Sequence, residues 1–221
     1  DVYFTMGNVA AAQEMAFESN IGALCDGNPR MTQRLVQTNL IYGAYPVAEK
    51  YIAVLENTFY YKDWAKAQRK FLYNDEAVET DPLLGNMRRN LLAENHLIQM
   101  DGFDTDLIRL AEQNPSNKAA FHYAGVFYLL AKDMTRFKTL VETYYGTDLL
   151  PSLPVSFQEA VIILSEKDPD YWKRFGVSES IVGRFTDYKR QVLAGRNNSN
   201  ALPGLMYRSY GDTYWYYYMF K

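Results

Sequence analysis

Apolar residues recur along this chain at three- and four-residue intervals, the spacing that puts them on one face of a helix. Met31, Leu35, Val36, Leu40 and Ile41 form one such set. Ala48, Tyr51, Ile52 and Leu55 form the next, and Trp64, Ala65, Ala67 and Phe71 a third. No segment sustains a period-two alternation, so strands are not expected. The punctuation agrees. Asn8 caps a helix over 6–20, Pro29 opens one over 29–42, and Gly43 ends it as a left-handed cap. Pro46 opens the next, over 46–57, and a further helix covers 62–71. Residues 74–81, polar and acidic, read as a loop, and Pro82 starts a helix to Met100. Helices follow over 105–113, from a Ser116 or Asn117 cap to Ala131, and over 134–145 behind Asp133. Ser156 and Glu159 have the spacing of a capping box opening the next helix, and another spans 178–194 with a mixed surface. Residues 195–200 read as a loop, and 211–221 as a short aromatic helix or a strand-like tail. The pattern predicts an all-α fold of about ten helices, mostly paired by short turns.

The clearest pair lies in 32–70. Gly43, Tyr45 and Ala48 supply a tight turn, an aromatic wedge and a small contact residue. The same spacing occurs at Gly7 and Ala12, 36 residues earlier. A weaker copy aligns Lys132 with Gly43, puts Phe137 at the alanine position, and places Gly125 and Tyr128 in its first helix. The period is near the ~34 residues of tetratricopeptide repeats. One hairpin cannot cover its own apolar face, so such units stack. The expectation is a TPR-like α-α superhelix forming a single domain over 1–221, with the aromatic segment 203–221 as its C-terminal cap. The first copy starts close to residue 1, which predicts a piece of a longer array.

The phrases AFESN, RLVQTNLIYGAYPVAEKYI, NKAAFHYAGVFYLLAKDM, LPVSFQEA and YGDTYWYYYMF carry a closer resemblance. They are similar to an uncharacterised Bacteroidetes family whose members combine a multi-span membrane region with a soluble TPR-like tail. The resemblance implies that these residues are that soluble C-terminal part, attached to the cell envelope. It carries no catalytic residue. Localisation on the periplasmic side is the expectation, from polar content that favours Asn and Tyr over Lys.

Composition narrows the function. Net charge is −3 without runs of like charge, which argues against nucleic acid and gives no polybasic segment for anionic lipid. The longest apolar stretch, 119–131, is too short for the ~20 residues of a membrane span. A single cysteine, Cys25, excludes an internal disulfide and reads as a small buried hydrophobe. His96 and His122 belong to no metal-ligand or catalytic spacing, and His122 reads as a hydrogen-bonded core histidine. No P-loop, nucleophile elbow or dinucleotide fingerprint occurs. Arg88 and Arg89 suit a solvated helix face or an anion contact, and Asn197 opens a chance glycosylation sequon. No cofactor, metal or enzymatic activity is expected.

The expected activity is protein or peptide binding. In the hairpin register, Arg30, Gln33 and Gln37 would face a concave surface, with His122 and Val126 in the weaker copy. The 19 tyrosines, 12 phenylalanines and 3 tryptophans serve a packed core first. The alternative is an accessory, carbohydrate-handling domain of an envelope enzyme, using exposed aromatics.

Overall fold

The computed structural model of the protein describes residues 1–23, 27–92, 102–166, 168, 170–196 and 200–221. Cys25, His96 and the sequon at 197–199 lie outside them. The described residues form fourteen α-helices and no named strand, so the all-α expectation holds. None of these helices is long and apolar enough to cross a membrane. The chain divides into two compact units, 1–123 and 124–221.

The first unit begins with α1 (Val2–Thr5), α2 (Val9–Ile21), α3 (Pro29–Ile41), α4 (Tyr45–Glu56) and α5 (Lys62–Gln68). It continues through α6 (Asp75–Thr80), α7 (Leu84–Arg88), α8 (Phe103–Gln113) and the start of α9 (Lys118–Leu130). The core is α3 packed between α2 and α4, with α7 on its end. Val36, Leu40, Ala48, Ile52 and Leu55 are fully buried there, joined by Ala12, Ala65 and Val78.

Turn chemistry sets the hairpins. Gly7 and Gly43 have φ of +84° and +72°, the left-handed region. The amide N–H of Gly7 donates to Phe4 O and that of Asn8 to Tyr3 O. Gly43 donates to Leu40 O and Ala44 to Asn39 O. This is the Schellman pattern, which satisfies the carbonyls a helix end leaves over. The alanines five residues past each glycine, Ala12 and Ala48, are buried.

Arg88 adds a second cap. Its Nε donates to Ile41 O at 3.0 Å and its Nη2 to Leu40 O at 3.0 Å, so α7 closes the C-terminus of α3. Its Nη1 reaches Asp75 at 2.9 Å, and Tyr45 Oη donates to the same carboxylate at 2.5 Å. The solvated-face expectation for Arg88 is therefore corrected, while the expected anion contact is met inside the fold by the Asp75 carboxylate. Two further expectations change. Residues 75–80 are helical because Asn74 Oδ1 accepts from Ala77 N and Asp75 and Glu76 favour the N-terminal dipole. The helix expected over 82–100 is only Leu84–Arg88 within the described residues, and the chain turns at Arg89 and Asn90. Asn90, 3% exposed, accepts from Asn114 Nδ2 at 2.6 Å and leads the backbone into that turn.

The second unit holds the rest of α9, then α10 (Met134–Tyr144), α11 (Val155–Leu164), α12 (Glu179–Gly195), α13 (Leu202–Tyr210) and α14 (Tyr214–Phe220). The turn from α9 to α10 repeats the Schellman geometry. Lys132 takes the glycine's place at φ +56°, donating to Leu129 O while Asp133 donates to Tyr128 O. Phe137, at the alanine position, is fully buried and meets Phe157 edge-on at 5.1 Å. Gly125 brings α9 against that same ring: a Cβ there would stand 2.1 Å from Phe157 Cζ.

The capping box is corrected as well. Helix α11 starts at Val155 behind Pro154, with no side-chain cap, so Ser156 lies inside the first turn. Glu159 is 4% exposed and points elsewhere, accepting from Tyr214 N at 2.7 Å, the first amide of α14. The aromatic tail is thus a helix, preceded by α13, which the sequence did not announce.

Four substitutions check this account by urea unfolding. Gly43→Ala, where a Cβ meets nothing within 4 Å, is expected to lose about 1 kcal/mol through backbone strain alone. Gly125→Ala should lose about 1–3 kcal/mol by overpacking Phe157. Arg88→Ala should lose about 2–3 kcal/mol by stranding the α3 carbonyls, while Arg89→Ala, exposed, stays within about 0.5 kcal/mol of the parent.

Candidate binding cleft

The second unit contains an apolar cleft of about 280 Å³ built from two turns of α12 between the end of α11 and one turn of α14. Ile163 and Glu166 come from α11 and the residues just past its end. Phe185, Tyr188, Lys189 and Val192 form an i, i+3, i+4, i+7 stripe on α12, flanked by Leu193. Trp215, Tyr218 and Met219 do the same on α14.

The floor is aromatic and buried. Trp215 is 2% exposed and meets Phe185 at 5.1 Å and Tyr188 at 6.0 Å. Tyr188 Oη donates to Trp215 O at 3.3 Å and lies 3.1 Å from Met219 Sδ, which locks α12 onto α14. Burial, followed by the neighbouring Tyr216, pushes the Tyr188 hydroxyl up to about 12, so it stays a neutral donor at any ordinary pH. The rim is different. Leu193 and Met219 are more than half exposed, and Lys189 Nζ stands 3.8 Å from Glu166 Oε1 in an open ion pair. The Lys189 ammonium also lies 5.6 Å over the Phe185 ring.

What holds α14 in place also shapes the cleft. Glu159 caps its first amide, and Thr213 Oγ1 accepts from Tyr216 N at 3.3 Å. Tyr214 Oη donates to Leu129 O at 2.9 Å and Tyr217 Oη to Leu130 O at 2.8 Å, engaging the carbonyls at the end of α9. Arg184 on α12 grips Asp212 at 2.7 and 3.1 Å and donates to Ser209 O, fixing the turn before α14. The hydrogen bonds from Arg184 hold the Asp212 carboxyl below the usual range. Beyond the cleft, Val126, Phe127 and Leu130 stay exposed on α9, and Lys132 stands over the rings of Tyr217 and Tyr218.

The residues expected to bind fare unevenly. Arg30 is exposed, but its guanidinium is paired with Asp1. Gln33 and Gln37 are half-buried on α3. The organising side chain there is Arg34, which the sequence reading passed over. Its Nη1 donates to Gln37 Oε1 at 2.7 Å, its Nη2 reaches Asp1 at 2.9 Å, and its guanidinium lies 3.7 Å over Phe4. The spacing 30, 34, 37 was the available signal. His122 and Val126 sit one turn apart on α9, one in each unit. Burial first, and then Lys118, holds the His122 imidazole below its ordinary range. The repeat positions Ala12, Tyr45, Ala48 and Tyr128 are all buried. No group of His, Cys, Asp and Glu able to hold a metal occurs among the described residues.

The cleft itself was not read from the sequence. Its signal was the α12 stripe, dispersed among the polar residues of a mixed helix, with the other two walls far away in the chain. Trp64 and Trp172 are half-buried and Trp215 is closed under the floor. The arrangement offers burial of an apolar side chain next to one exposed ion pair.

The model of a family of unknown function, DUF6057, matches residues 1–221. No curated protein matches the chain, and no solved structure does.

Glu159 makes a test of how α14 is held. Burial raises its carboxyl above the usual glutamate value, so the folded chain holds that proton more tightly than the unfolded one. Its contribution to stability is therefore complete below about pH 4.3, the unfolded value, and is lost as pH rises through the folded value. Glu159→Gln keeps an acceptor for Tyr214 N without the charge. It is expected to flatten the pH dependence of urea unfolding and to match or exceed the parent at pH 7. Glu159→Ala, which leaves the amide unmet, should lose about 1–2 kcal/mol.

Proposed function

The chain belongs to DUF6057 along its whole length, a membership that brings no activity with it, and we propose from the cleft that the protein is a non-enzymatic helical scaffold binding a protein or peptide segment. One observation carries this reading: three helices converge on an aromatic floor, while the rim keeps apolar side chains and an ion pair open to solvent. At about 280 Å³, near the small end of the roughly 300–1,000 Å³ of ligand sites, the space takes one large apolar side chain. The Lys189–Glu166 pair supplies polar contacts for the segment flanking that anchor. Three turns of one geometry, at Gly7, Gly43 and Lys132, support extending the scaffold to a TPR-like hairpin array. The sequence resemblance supports placing it as the soluble part of a bacterial envelope membrane protein, and polar content that favours Asn and Tyr over Lys supports the periplasmic side.

Selection of displayed peptides on the immobilised chain tests the proposal. Enriched sequences should share an aromatic or aliphatic anchor. Leu193→Asp and Met219→Asp, both at exposed positions, should weaken the selected peptides about tenfold or more, Leu193→Asp with unchanged thermal unfolding and Met219→Asp with a small loss of stability from the Tyr188 contact. Failure to enrich any peptide, or peptides indifferent to both substitutions, would overturn it. Retention of oligosaccharides in place of peptides would transfer the cleft to the carbohydrate-handling alternative.

A further inference from the structure

We propose that the turn between α4 and α5 is a membrane-surface prong, in which Phe59 and Tyr60 enter the interfacial layer of a bilayer with anionic headgroups. The two rings are 92% and 88% exposed, the most exposed large apolar side chains among the described residues. They meet each other edge-to-face at 5.1 Å. Single exposed apolar residues are ordinary on a soluble surface, but adjacent rings this fully exposed are not.

The turn beneath them is fixed. Thr58 N and Oγ1 both donate to Leu55 O, at 3.0 and 2.7 Å, and Thr58 Oγ1 accepts from Tyr61 N at 3.3 Å. Asn57 Nδ2 donates to Ala53 O at 2.9 Å. The prong is thus presented at little ordering cost on binding.

Its surroundings select the partner. Lys62 and Lys66, exposed, stand one helical turn apart on α5, and Lys62 follows the tip by two residues. The nearest acid before the tip, Glu56, is engaged by Arg69 at 2.7 and 2.9 Å, which leaves Asp63 as the local counter-charge. An apolar ring at the tip, a tyrosine whose hydroxyl tolerates water beside it, and lysines behind match the layering of a bilayer interface. A convex pair of rings also needs no preformed pocket in a lipid phase.

Co-sedimentation of the chain with vesicles tests this, using phosphatidylcholine alone or mixed with phosphatidylglycerol. Partition onto the mixed vesicles is expected, weakened by salt. Phe59→Ser with Tyr60→Ser should lower it about tenfold or more, and Lys62→Glu with Lys66→Glu severalfold. Thermal unfolding should be unchanged in both variants, and Leu193→Asp should bind vesicles like the parent, separating the prong from the cleft. Absence of binding to mixed vesicles, or binding unaffected by the Phe59 and Tyr60 changes, would overturn the proposal. So would photo-crosslinking from position 59 that captures a protein and not lipid.

Discussion

Buried helix ends must have their backbone groups satisfied, and much of this structure follows from how that is done. A helix leaves four carbonyls at one end and four amides at the other without partners. In a fold of many short helices, such ends are frequent and many are enclosed. Here the C-termini of α1, α3 and α9 all close through the same left-handed turn. That of α3, in the middle of its unit, needs Arg88 as well, because its carbonyls face α7 instead of water. The N-terminus of α14 is closed from a distance by Glu159, a buried carboxylate whose charge is costly there.

These closures couple local chemistry to packing. Arg88 caps α3 while Asp75 and Glu79 of α6 balance its charge, and Asp75 is held by Tyr45 of α4. The aromatic wedge of the hairpin is therefore also a hydrogen-bond partner in the cap. In the second unit, Glu159, Arg184 and Asp212 set the start of α14, and that placement brings Trp215 under the cleft. The cleft is a product of helix termination as much as of hydrophobic contact. Its floor is held because Tyr188 joins α12 to the α14 backbone, while its rim stays open because Leu193 and Met219 keep more than half of their surface in solvent.

The hairpin turns were legible because a glycine at a positive φ, followed by Asn8 as a cap in one case and by Pro46 in the first turn of α4 in the other, is written in one place. Even Lys132 was found, by aligning its neighbours, although its side chain does not favour the left-handed region. The short helix at 75–80 was missed because its acidic residues look like a loop, whereas a capping Asn74 and the helix dipole make acids favourable in a first turn. The capping box at Ser156 and Glu159 failed for the opposite reason. The local spacing was right, but a buried amide on α14 competes for the same carboxylate and wins.

The sequence by itself determined the all-α class, the main helices and the turns that pair them, since these depend on periodicity and on residues within one or two turns of each other. Only the tertiary structure decided which polar side chains are structural and which surfaces are available. Arg34, Arg88 and Glu159 are defined by partners tens of residues away in the chain, and the cleft by three helices whose spacing no local pattern records. Phe59 and Tyr60, plain members of an aromatic-rich chain, are set apart only by the fixed turn that leaves them uncovered.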